Sequence, residues 1–126
     1  MAAKGKDPRR GLGRRGEQLA AEHLRRAGYE ILAANWRCPR GEIDLIAREG
    51  ETLAFVEVRT RRGREYGSPE ESITALKRAR LIETAQTYVQ ESGWEGDWRI
   101  DVVAVELSPA GKLVRISLLR NAVVGG

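Results

Sequence analysis

Residues 41–62, GEIDLIAREGETLAFVEVRTRR, constrain the fold more tightly than any other part of the chain. Two runs rich in Ile, Leu, Val and Phe, 42–48 and 52–60, are separated only by Glu49-Gly50-Glu51, the signature of a β-hairpin. A two-residue loop with glycine first sets Asp44 opposite Glu57. Strand alternation then sorts the hairpin into two faces. One is uniformly apolar, with Ile43 facing Val58, Leu45 facing Val56 and Ala47 facing Ala54, and belongs on a core. The other pairs Glu42 with Arg59, Asp44 with Glu57, Ile46 with Phe55 and Arg48 with Leu53. Two facing carboxylates repel unless one is protonated, a cation lies close or a metal binds between them. Asp44 and Glu57 are therefore candidate metal ligands. A salt-bridge cluster closed by Arg59 and Glu42 is the alternative.

What could hold a metal is narrowed by the rest of the composition. Cys38 is the only cysteine and His23 the only histidine, so a thiolate or imidazole cage is excluded and any ion must be held by oxygen. Lys4, Lys6, Lys77 and Lys112 are the only lysines among 22 basic residues, which leaves 18 arginines. Guanidinium groups fork onto phosphate oxygens, and a sequence pI near 9.6 favours a polyanionic partner. Codon bias is the competing source of that arginine content. No window has the ~18 apolar residues of a membrane span, and the first residues lack a signal-peptide core. A cytoplasmic location with no membrane partner is the expectation.

The 126 residues suit one domain. Residues 1–12 read as a disordered basic arm, 13–122 as the folded domain and 123–126 as a flexible tail. A helix is expected over 13–27, capped by Gly28, with Glu17 on the rim of its apolar stripe. Residues 29–36 should form a first strand, and 37–40 a basic connector containing Arg40. After the hairpin, Arg61, Arg62 and Arg64 lie in a polar, glycine-punctuated segment suited to a phosphate backbone or simply solvated. A second helix should start after Thr74 as N-cap and stop at Gly93. Its wheel puts Ala75, Ala79, Ile82, Gln86 and Val89 on the apolar side, and Lys77 and Tyr88 on the far side. Gln86 in that stripe needs a polar partner, a substrate or a neighbouring backbone. Strands over 97–107 and 112–119 complete the chain, the first of them interior because both its faces are apolar. The expected fold is α/β: a single domain with a central mixed sheet of about five strands flanked by helices.

Asp44 followed by Glu57-Val58-Arg59 resembles the acid-then-(D/E)-x-K signature of the restriction-endonuclease-like nuclease fold. More closely, Gly16-Glu17, Gly28-Tyr29, Gly41-Glu42-Ile43-Asp44-Leu45-Ile46, Phe55-Val56-Glu57-Val58-Arg59 and Arg99-Ile100-Asp101-Val102-Val103 resemble the YraN-like family of small bacterial proteins. That family is itself described as similar to archaeal Holliday-junction resolvases. The resemblance implies Asp44 and Glu57 as ligands of Mg²⁺ or Mn²⁺, the Val58 carbonyl as a third, and Glu17 as the first-helix acid. It implies a metal-dependent DNA endonuclease acting on branched, junction-like substrates, with a homodimer for symmetric junctions. Arg59 takes the lysine position, and arginine holds its proton, so it can stabilise charge but not accept a proton. Gln86 would position water. A catalytically inactive nucleic-acid-binding accessory protein in DNA repair or processing is the alternative, and Arg59 is its best argument.

Overall fold

The computed structural model describes residues 8–63 and 73–123, with side chains in the first helix from Gly13 onward. The elements are α1 (Pro8–Arg26), β1 (Glu30–Cys38), β2 (Gly41–Glu49), β3 (Thr52–Arg62), α2 (Ala75–Ser92), β4 (Trp98–Leu107) and β5 (Leu113–Val123). They form one five-stranded sheet in the order β1-β2-β3-β4-β5. Every neighbouring pair is antiparallel except β3–β4, which is parallel because the chain returns through α2. The expected single-domain α/β architecture with a mixed sheet is the one that forms, and β4 is interior.

The hairpin turns as its sequence dictates. Gly50 adopts a φ of 61°, a left-handed conformation that glycine reaches without a Cβ clash, while Glu51 is not among the positive-φ residues. Glu49 faces Thr52, and the ladder continues through Ala47–Ala54 to Leu45–Val56 in the expected register. The helices cover opposite faces. Ala20, Ala21 and Leu24 of α1 pack with Leu45, Ala47, Ala54, Val56, Val103 and Val105. Leu81 and Ala85 of α2 pack with Ile43, Ile46, Leu53, Phe55, Ile100 and Val102.

One residue of the expected apolar face moves to the other side. Ile43 belongs to the α2 core although Leu45, two residues on, belongs to the α1 core. Strict alternation would keep them together, so the strand switches faces at Asp44. The matching kink lies in β1. Ala34 faces Leu45 and Trp36 faces Ile43, which leaves Asn35 across from Asp44, and Asn35 has a φ of 55°. Asparagine tolerates that conformation better than most residues.

The elements also shift at their ends. α1 begins at Pro8 rather than near Gly13, within the expected arm, since proline is suited to a helix's first turn. β5 reaches Val123, where it pairs with Ile100 after a register shift. Residues 1–7 and 124–126 lie outside the described residues.

The larger correction concerns α2. Thr74 caps it as expected, accepting a hydrogen bond from the Lys77 backbone N–H, and Gly93 ends it at a φ of 74°. The buried residues are Leu81, Thr84 and Ala85, with Tyr88 edge-on to both Trp36 and Phe55. Ala75, Ala79 and Gln86 are exposed. The helix is turned away from the wheel's assignment, although Ile82 and Val89 of that stripe stay partly buried against the same core. Alanine is too small to set a face by hydrophobicity, and the aromatic cluster against Trp36, Phe55 and Trp98 decides the orientation instead.

Candidate metal centre

The face switch at Asp44 gathers the chemistry. β2 and β3 are paired up to Leu45–Val56, and immediately beyond that pair the Val58 backbone N–H donates to Asp44 Oδ2 at 2.8 Å. Asp44 is part-buried, and Glu57 is only 4% exposed. Burial is the main cause that lifts the Asp44 carboxyl, with the Glu57 charge next, the Val58 N–H opposing, and Glu17 and a hydrogen bond to Glu57 adding to the rise. Together they push it up to about 8.

Glu17 reaches this centre because of the residue before it. A Cβ at Gly16 would overlap the Thr60 hydroxyl, so glycine lets α1 lie directly on β3. Burial also raises the Glu17 carboxyl, a hydrogen bond with Asn35 lowers it, and Glu42 and Glu57 raise it further. The kinked Asn35 thus links the first-helix acid to the strand opposite Asp44.

Glu57 is held from the other side of the sheet. Lys77 Nζ lies 3.2 Å from Glu57 Oε2, and Arg59 reaches the same oxygen at 3.4 Å. The expectation that Lys77 faces away is therefore corrected. With Thr74 as cap, Lys77 is the third residue of α2 and shares its buried side with Leu81, Thr84, Ala85 and Tyr88, at i+4, i+7, i+8 and i+11. That spacing was the available signal.

Other candidates stand apart. Gln86 is exposed and lines a groove with Val89, Gln90, Trp94 and Trp98. It lies nine residues beyond Lys77 along α2, ~13 Å by helical rise, so the stripe that nominated it is not the buried one. Arg40 pairs with Glu83 at 3.7 Å, and Arg62 Nε donates to the Pro109 carbonyl at 3.0 Å. Arg61 is part-buried, next to the last residue of β3, while Arg64 lies outside the described residues.

Asp101 is fully buried, but as the hub of a separate structural network. It accepts from the Tyr29 hydroxyl at 2.8 Å, from Arg99 at 2.9 Å and from the Asn121 backbone at 2.8 Å. Glu49 extends the network to Arg99 and Arg120. That network sits at the C-terminal end of α1, away from Glu17.

Among the described residues no three His, Cys, Asp or Glu side chains converge on one point as a preformed cage. The donor set that fits an ion is smaller: Asp44 and Glu57, two neighbouring carboxylates, completed by the Val58 carbonyl or by water. Such a set suits Mg²⁺ or Mn²⁺, hard cations that keep several waters and take one or two carboxylates.

Residues 16–105 match the model of "Uncharacterised protein family UPF0102". The chain belongs to the UPF0102 family. It is 52% identical over 114 residues to a UPF0102 protein of Symbiobacterium thermophilum, covering 90% of this chain and 96% of that one. Against UPF0102 proteins of Herpetosiphon aurantiacus and Nocardia farcinica it is 50% identical over 107 and 106 residues, covering 81% and 82% of this chain and 86% and 82% of theirs. This is the family the YraN resemblance named. The UPF0102 match takes in Glu17, Asp44, Glu57, Arg59 and Lys77.

Proposed function

We propose that this UPF0102 protein is a Mg²⁺- or Mn²⁺-dependent DNA endonuclease that hydrolyses phosphodiester bonds in the cytoplasm. The observation that carries the reading is two neighbouring carboxylates, Asp44 held by the Val58 N–H and Glu57 buried, at the point where two paired strands part. Burying two acids together is costly, and a divalent cation removes the cost. When bound, the ion supplies polarisation of the scissile phosphate and of the attacking water. Asp44 and Glu57 Oε1 would hold it, with the Val58 carbonyl as the third ligand and Glu17 bearing on its outer water.

The remaining residues act through fixed charge. Glu57 Oε2 engages Lys77 and Arg59, which sets the carboxylate plane, and the hydrogen bond between Asp44 and Glu57 would give way to the ion. Arg59 is fully charged and forked, and holds a nonbridging phosphate oxygen. Lys77 is half-exposed and on the same carboxylate oxygen, so it brings a compact ammonium to the site that Arg59 does not offer. Arg40, Arg61 and Arg62, which stand apart from the ion's ligands, would meet the phosphate backbone farther along, and a homodimer would present two such centres to a symmetric junction. Among the described residues no helix is long and apolar enough to cross a membrane.

Pure protein incubated with branched, flapped and linear DNA plus Mn²⁺ tests the reading. Cleavage by the parent and none by an Asp44→Asn, Glu57→Gln pair supports it. A non-cutting DNA-binding accessory protein is the second reading, favoured by Arg59 at the signature's lysine position. Binding indifferent to metal and to both substitutions would select it.

A further inference from the structure

A groove of about 490 Å³ runs between α1 and β1, bounded by Arg14, Gln18 and Arg25 along the helix and floored by Ile31, Ala34 and Leu45. It shares Glu17 and Asn35 with the acid centre, so groove and centre are continuous. The spacing along α1 explains the walls. Residues 14, 18, 21, 22 and 25 repeat at helical intervals, and the two arginines stand ~16 Å apart at its ends. Glu22 on the same wall is offset by Arg26 at 3.3 Å, which leaves the two guanidinia to set the character of the ends. Asn35, kinked at a φ of 55°, forms the boundary between groove and acids.

We infer that this groove is a subsite for one unpaired nucleoside adjoining the scissile phosphate. The inference rests on the endonuclease reading for the phosphate and on the groove itself for the base. An apolar floor with a few polar walls is the usual make-up of a small-molecule site, and flat guanidinium groups stack on bases as well as pairing with phosphates. A base within an intact duplex is stacked and paired and cannot descend to Ile31 and Leu45 while its phosphate stays at Asp44. A flap, gap or single strand places one there at no unpairing cost. The substrate is therefore DNA with an unpaired nucleotide beside the cut.

Ala34 is exposed on the edge strand and lines the floor, so Ala34→Phe fills the groove with little demand on the core. Oligonucleotides carrying 2-aminopurine in a flap, in a single strand and within a continuous duplex are titrated with parent, Ala34→Phe and Arg25→Gln protein, with Mg²⁺ binding followed separately by calorimetry. The parent binds flap and single strand about tenfold more tightly than duplex, the scale of one stacked base, and alters the fluorescence of the unpaired probe. Ala34→Phe removes both effects while duplex affinity, thermal melting and Mg²⁺ binding stay as in the parent. Arg25→Gln weakens the preference several-fold and checks the conclusion should Ala34→Phe melt early. Equal affinity for all three DNAs in the parent, or a preference that survives both variants, overturns the subsite. Absent Mg²⁺ binding with the preference intact would instead sink the metal centre and leave the groove standing.

Discussion

Replacing Asp44 by Asn should make the metal-free protein more resistant to unfolding at alkaline pH. In the folded chain Asp44 keeps its proton to about pH 8, against 3.8 for the ordinary group. Between those values the folded state binds more protons than the unfolded one, so stability is fully present below about pH 4 and is lost as pH rises to about 8. Four units at ~1.4 kcal/mol each give a ceiling of about 6 kcal/mol. Asp44 is only part-buried and Glu17 can turn toward solvent, so about half of that, 2–4 kcal/mol, is the working figure. Asparagine retains an oxygen for the Val58 N–H and carries no titrating group, so it escapes the loss. Urea unfolding with a chelator present at pH 5, 7 and 9 reads the difference, since titrating groups remote from Asp44 cancel between parent and variant. The variant should gain about 2 kcal/mol on the parent from pH 5 to pH 9, because the first unit of the window lies below pH 5. A gap that stays flat, or that widens in the parent's favour, refutes the account of Asp44. Saturating Mg²⁺ should reverse the order, because only the parent gains from binding.

The same proton governs the metal itself. Mg²⁺ affinity measured by calorimetry should rise about tenfold per pH unit up to about pH 8 and then level, because binding displaces the Asp44 proton. Lys77→Met should lower kcat about a hundredfold with KM and Mg²⁺ affinity little changed, and Lys77→Arg should restore only part of it; an unchanged kcat would remove Lys77 from the site. Gly16→Ala must push α1 off Thr60, costing about 1–3 kcal/mol in denaturant unfolding and weakening the Glu17 link to Asn35. Tyr29→Phe takes one donor from buried Asp101 and should cost about 1–2 kcal/mol with cleavage unaffected, since that network is structural.

The hairpin shows how far local rules reach. Gly50 and the alternation of apolar residues fix the register from Glu49–Thr52 to Leu45–Val56, and Thr74 and Gly93 fix both ends of α2. Asp44 and Glu57 were legible as a pair for the same reason, because a tight turn ties positions on adjacent strands. Legibility stopped where partners come from elsewhere in the chain. Ile43 changes sides because Asn35, on another strand, kinks opposite Asp44. Lys77 meets Glu57 because Tyr88 seats against Trp36 and Phe55 and so turns α2, although alanines and Ile82 offered a second plausible stripe.

The sequence by itself determined the α/β class, the hairpin register, the helix caps and the two acids. Each rests on backbone geometry and neighbours a few residues apart. Only the tertiary structure decided which side of α2 meets the sheet, where β2 switches faces, and that burial raises the Asp44 carboxyl. Those depend on packing and on the local dielectric, which arise only when distant segments come together and exclude water.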